Sequence, residues 1–239
     1  MLGDMANSLL RLTLLVALPL LSIAAPVSPP AEQPTRTLFL IRHGMYDPVK
    51  DADDHTANAL NPLGHEQAAY VAARLAALPV KFDSVTSSEF TRARETGDII
   101  AAKLGLICAR DALLNEAGPS RVGQAAKSEQ AAADTQLAHA WARYSVPVKV
   151  GPSTHEILIA HGNVIRWFVC RALGVDTQHW LNMEIANCSL TVIQIHADGS
   201  IKLQVFNDVS HVPLDKQTWA GKGPGWPLPS QPQAKQRTM

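Results

Sequence analysis

Two histidines in this chain stand where an anion could be held. His43 lies between Arg42 and Gly44, directly after the apolar run LFLI (38–41). His161 precedes Gly162 and Asn163, directly after a second apolar run, ILIA (157–160). A fully buried strand that ends in basic side chains delivers them to the rim of a sheet, and such rims bind ligands in α/β folds. A plainer reading exists for each alone: chains leave a core through polar turns, and Gly44 could serve only the turn. Two histidines brought to one rim are harder to explain by packing.

The elements that would place them there follow from the apolar pattern. TRTLFLIRH (35–43) and THEILIAH (154–161) read as buried strands and DSVTSS (83–88) as a weaker one. CSLTVIQIHADGSIKLQVF (188–206) reads as two strands joined at Asp198-Gly199. Helices fall between them. NPLGHEQAAYVAARLAAL (61–78) opens with Asn61 as N-cap and Pro62 at the first helical position. TRARETGDIIAAKL (91–104), the Ala- and Gln-rich stretch 124–143, and GNVIRWFVCRAL (162–173), closed by Gly174, are the others. This alternation implies an α/β domain: a mostly parallel sheet with an antiparallel hairpin and helices on both faces.

The chain has 239 residues with 21 basic and 21 acidic side chains, so no general attraction to nucleic acid is expected. Its first segment, with Arg11, an apolar run over Leu12–Ile23 and small residues after it, has the layout of a secretory signal peptide. An uncleaved membrane anchor is the rival, disfavoured by Pro19 and by a run shorter than the roughly 20 residues that span a bilayer. The expected organisation is a leader at 1–25, a linker at 26–35, a domain at 36–213 and an irregular tail at 214–239, on which Trp219 and Trp226 could dock. An exported chain, periplasmic or secreted and free of the membrane after cleavage, follows from that leader. Cys108, Cys170 and Cys188 are an odd set without metal-like spacing and read as buried thiols, although one pair could form a disulfide. The acidic stretch DADDH (51–55) reads as a solvated loop in preference to a cation site or substrate selector.

Four ordered segments carry a resemblance. RHG after the first strand, LNPLGHEQA (60–68), SSEFTRARET (87–96) and AHGNVIR (160–166) together resemble the histidine phosphatase superfamily, in its phosphoglycerate-mutase-like branch. HGNVIRWFVCRALGV (161–175), NCSLTVIQIHADGSI (187–201) and LLNEAGP (113–119) are similar to a serine/threonine protein phosphatase subgroup of that branch. The resemblance spans about residues 36 to 213 and implies a three-layer phosphoglycerate-mutase-like domain. It also implies roles. His43 would be the nucleophile that becomes phosphohistidine, and Arg42 and Arg92 would clamp the phosphate. His161 would hold another oxygen beside Gly162 and Asn163, and Glu116 would donate the proton to the leaving oxygen. Neither metal nor other cofactor is called for.

Each role has a structural alternative. His43 could be a turn histidine, Arg92 could pair with Glu89 or Glu95 on its helix, and Glu116 could be a surface carboxylate. Arg94 and Arg166 read as helix-face partners, and His65, His179, His196 and His211 have no spacing that argues for function. Tyr46 after RHGM, and the short Ala-rich segment after Glu116, depart from the mutase pattern. The expected activity is hydrolysis of a phosphomonoester, either a phosphoserine or phosphothreonine protein or a small phosphate ester. The rivals are a mutase-type phosphotransferase and a catalytically silent phosphate-binding scaffold. Oligomeric state is left open.

Overall fold

The computed structural model describes residues 33–118 and 127–219. The leader, most of the linker, part of the 120–153 segment and Trp226 lie outside them, and the side chain of His179 does also. Six strands form one sheet: β1 (Thr35–Arg42), β2 (Ser84–Ser87), β3 (Cys108–Arg110), β4 (Thr154–Ala160), β5 (Leu190–His196) and β6 (Ile201–Asp208). Their order is β3-β2-β4-β1-β5-β6. The first four are parallel, and β5 and β6 add an antiparallel hairpin against β1. The helices are α1 (Pro62–Ala76), α2 (Thr91–Leu104), α3 (Lys127–Tyr144) and α4 (Gly162–Leu173). This is the expected α/β arrangement.

The strand period of two sorts the core into two layers. Leu38 and Leu40 of β1 and Leu158 and Ala160 of β4 pack with Leu137, Ala140, Val164, Ile165 and Phe168 from α3 and α4. Phe39, Ile41, Ile157 and Ile159 point the other way, onto Ala68, Val71, Leu75 and Ile100 of α1 and α2. Burial of both faces explains why these strands read as unbroken apolar runs. A buried Leu or Ile contributes about 1.5–3 kcal/mol by removal from water, so the centre of the sheet is the stiffest place from which to hang a site. Asn61 caps α1, its Oδ1 accepting from Gly64 N at 2.9 Å, and Pro62 stands at the first turn, as the sequence implied.

Two features differ from the expectation. Cys108–Arg110 forms a fourth parallel strand that the pattern did not mark, because it is short and largely outside the core. The packed domain also continues past 213. Trp219 docks there as expected, buried and bridging to Ala186, and Thr218, fully buried, donates to Asn187 Oδ1 at 2.9 Å. All three cysteines are free thiols, Cys170 and Cys188 buried and Cys108 partly so. Among the described residues no helix is long and apolar enough to cross a membrane.

Candidate active site

The three central parallel strands end on one rim, and each hands over a site residue there. β1 ends at Arg42, and His43 extends its ladder by donating to Ala160 O at 3.0 Å. β4 ends at Ala160, and His161 becomes the N-cap residue of α4. After β2, Ser88 N donates to Ile159 O at 2.9 Å, and the chain turns into α2 and Arg92. The imidazole rings of His43 and His161, separated by more than a hundred residues in sequence, lie with centroids 5.0 Å apart. Both are buried, as are Arg42 and Arg92.

Gly44 answers to close approach. A Cβ there would stand 2.6 Å from the Gly64 carbonyl oxygen, and a Cβ on Gly64 would overlap Met45 O. The turn after His43 and the first turn of α1 therefore touch backbone to backbone, so RHG and NPLG need one another. The turn is tied further. Gly44 N donates to Thr96 Oγ1 at 3.1 Å, and Met45 N donates to Gln67 Oε1 at 2.9 Å. Asn187 Nδ2 donates to His43 O at 3.0 Å, and Asn187 is itself held by Thr218.

The ring of His43 has a defined tautomer. Nδ1 lies 2.8 Å from Gly44 O, and a carbonyl oxygen only accepts, so Nδ1 carries the hydrogen and Nε2 keeps its lone pair. Burial, and secondarily the charge of Arg42, holds this imidazole well below the usual histidine range and therefore neutral near pH 7. His161 is depressed for the same first reason, with Arg92 and Arg42 adding to it. Its Nε2 contacts Ser88 Oγ at 2.8 Å.

Three buried polar atoms here lack a protein partner: Arg42 Nε, Arg92 Nε and His161 Nδ1. Arg42 sends Nη1 to Ile185 O at 2.5 Å. Burial lowers its pKa to about 10, leaving it charged at neutral pH. Arg92 lies between the rings of Tyr46 and Phe90, its guanidinium carbon 4.7 and 5.2 Å from their centroids. Its Nη1 pairs with Asp54 Oδ1 at 2.5 Å. Partnerless buried nitrogens are costly, and their concentration on the rim marks a place for an oxyanion.

The fifth predicted residue, Glu116, joins from the segment that follows the 3-10 turn Ala112–Leu114. Its Oε1 accepts from Asn163 N at 3.2 Å. Burial pushes its carboxyl above the ordinary range, against the pull of Arg42, Arg92 and Arg166. Asn163 also donates through Nδ2 to Ala117 O at 3.1 Å, and so braces the loop that carries Glu116. At Gly162 a Cβ would stand 3.4 Å from Arg166 Nη1 and 3.9 Å from Arg42 Nε. Its missing side chain leaves the space between two guanidinium groups clear.

Some expectations are corrected. Arg92 pairs with neither Glu89 nor Glu95; Glu95 Oε2 accepts from Leu60 N at 2.7 Å, and Glu89 faces Asn115. Asp54, in the stretch read as a solvated loop, is the arginine's partner and also accepts from Asn58 Nδ2 at 2.7 Å. Arg166, read as a helix-face residue, is buried, donating from Nε to Met183 O at 2.7 Å and from Nη1 to Asn163 Oδ1 at 3.0 Å. Its spacing of three from Asn163, one helical face, was the available signal. Ser88, Asn115 and Asn187 carried none, because small polar residues at strand ends are ordinary turn formers.

The sequence profile of the histidine phosphatase superfamily (branch 1) matches residues 38–158 and 148–209. Over 193 residues the chain is 35% identical to serine/threonine-protein phosphatase PGAM5, mitochondrial, of Rattus norvegicus, covering 77% of this chain and 66% of the relative. Over 194 residues it is 34% identical to the Caenorhabditis elegans protein of the same name, covering 76% and 66%. The chain thus spans about two thirds of the length of these relatives. The phosphoglycerate mutase structure from Plasmodium falciparum superposes with a TM-score of 0.55 at 26% identity, over 75% of this chain and 95% of that one. The relatives overturn the expected export to a periplasm or medium, because both are mitochondrial proteins. That expectation rested on a basic residue, an apolar run and small residues after it, a pattern that several kinds of leader share. The profile covers most of the domain and the fold is that of its members: this chain belongs to the histidine phosphatase superfamily.

Proposed function

We propose that the chain is a phosphomonoester hydrolase working through a phosphohistidine. The serine/threonine phosphatases among its relatives support phosphoserine or phosphothreonine in proteins as one substrate class, with small phosphate esters as the other. The observation that carries the reading is the convergence of three partnerless buried nitrogens on the two guanidinium groups and the second histidine, beside a neutral imidazole with Nε2 unprotonated. A tetrahedral dianion supplies acceptors for the two arginine N–H groups, and for His161 Nδ1 once that atom carries a proton.

In the first displacement His43 Nε2 gives its electron pair to phosphorus as the ester P–O bond breaks, and Glu116 protonates the departing oxygen. In the second, water attacks phosphorus, Glu116 takes its proton, and the N–P bond breaks. Arg42, Arg92 and His161 hold the non-bridging oxygens in both steps, and the amino end of α4 at Gly162 adds its positive dipole. Asn163 serves by holding Glu116 and Arg166. These side chains supply the positive charge themselves, so the proposed steps need no metal or other cofactor.

The test is release of inorganic phosphate from phosphopeptides and small esters in the absence of any acceptor alcohol. Release is expected, with His43→Ala abolishing it. Transfer only to an added alcohol would instead establish a mutase, and the absence of both release and transfer would establish a binding protein.

A further inference from the structure

We propose that Ser88 and Asn115 fix the tautomer of His161, so that its Nδ1 gains a proton only when a tetrahedral anion binds. Both are then positioning residues of the phosphate site. The hydrogens can be assigned from one end of the chain of contacts. Glu89 N donates to Asn115 Oδ1 at 2.9 Å, which identifies that atom as the amide oxygen, and the amide nitrogen on the other side faces Glu89 Oε2 at 3.5 Å. Ser88 Oγ lies 2.8 Å from the same Oδ1 and must donate its single hydrogen there. Phe90 N donates to Ser88 Oγ at 3.1 Å. Toward His161 Nε2, at 2.8 Å, Ser88 can therefore only accept. The hydrogen of a neutral His161 is on Nε2, and Nδ1, buried without a partner, holds a lone pair.

A lone pair does not suit a neighbour of phosphoryl oxygens. The groups facing His161 are Arg42 and His43 at the end of β1, Arg92 on α2 and the Phe90 ring at 5.3 Å; Glu116 stands beyond, at Asn163 N. Burial first, and then Arg92 and Arg42, keep the imidazole neutral in the free protein. A bound dianion offsets both cations, and its oxygens, by accepting from Nδ1–H, give the imidazolium the hydrogen bond that burial otherwise denies it. The proton then comes from solvent for a dianion, or from the P–OH of an ester arriving as the monoanion. It leaves with the product, and no covalent bond of the protein changes. Without the Ser88–Asn115 constraint the ring could place its hydrogen on Nδ1 beforehand and bind acceptor-only anions with no proton uptake.

This rests on the proposed phosphate site for what is bound, but the tautomer can be read without it. Long-range proton–nitrogen NMR of the full chain, labelled with nitrogen-15 and held at about pH 8, should show His161 protonated at Nε2 and bare at Nδ1. Sulfate, a tetrahedral dianion with no hydrogen to give, should then bind with uptake of about one proton, read by calorimetry in buffers of different ionisation heat. In Asn115→Ala the Ser88 hydroxyl can turn to donate to Nε2. The spectrum should switch to Nδ1–H, the uptake should fall toward zero, and the pH dependence of sulfate affinity should flatten. Ser88→Ala should give mixed tautomers and intermediate uptake. A wild-type spectrum with Nδ1 protonated overturns the proposal even if neither variant folds, and so does equal uptake in all three proteins. Failure of sulfate to bind would count against the anion site and leave the spectrum to decide the tautomer.

Discussion

At Glu116 burial raises the carboxyl pKa while three arginines pull it down, and burial is the larger effect. A carboxyl that keeps its proton above the ordinary carboxylate range can act as an acid on a departing oxygen. Glu116→Gln should lower kcat/KM, which reports the first displacement alone, by about 10²–10⁴ on alkyl phosphates, because an alkoxide leaves poorly unaided. On nitrophenyl phosphate, whose leaving group needs no proton, the loss should stay near tenfold or below. Steady-state kinetics across leaving groups checks this, and equal losses on both substrates would remove Glu116 from the acid role. The pH profile has two expected limbs. His43 must be neutral, which sets the acid limb below its ordinary range, and Glu116 must be protonated, which sets the alkaline limb above its own.

The element that matters most is the turn joining β1 to the loop before α1. Gly44→Ala should cost about 1–3 kcal/mol through overpacking against Gly64, and it should displace His43, lowering kcat as well as the denaturation midpoint. An unchanged midpoint would mean that the two backbones do not touch. This contact also shows what the sequence made legible. The strands, the Asn61 cap and the histidine at each strand end were readable because period, cap chemistry and position are local properties. The pairing of Gly44 with Gly64 was not, although both motifs were seen, because it is a contact between elements. Asp54 on Arg92 escaped for the same reason: the arginine's nearest acidic neighbours in sequence are Glu89 and Glu95. Strand β3 escaped because its only signature is its pairing with β2.

Across the whole molecule, the site makes the fold sensitive to acid. His43 and His161 are held neutral in the folded protein, below their unfolded values. As pH falls below about 6.5 the unfolded chain takes up protons that the folded chain does not, so stability is lost toward acid. The two imidazoles together contribute a slope of about 2–3 kcal/mol per pH unit well below that value. Glu116, shifted upward, opposes this only from its ordinary pKa upward to its raised one, since there the folded form holds the extra proton. Denaturant midpoints between pH 7 and 5 should fall, and His161→Asn should reduce the slope; a flat wild-type profile would contradict the burial of two neutral imidazoles. Turnover hangs on one bond, between His43 Nε2 and phosphorus. Rapid quenching during turnover of a radiolabelled phosphomonoester, followed by peptide mapping, tests it most directly. An acid-labile, alkali-stable phosphate is expected on Nε2 of His43. Turnover with phosphate released and no label on that residue would contradict it.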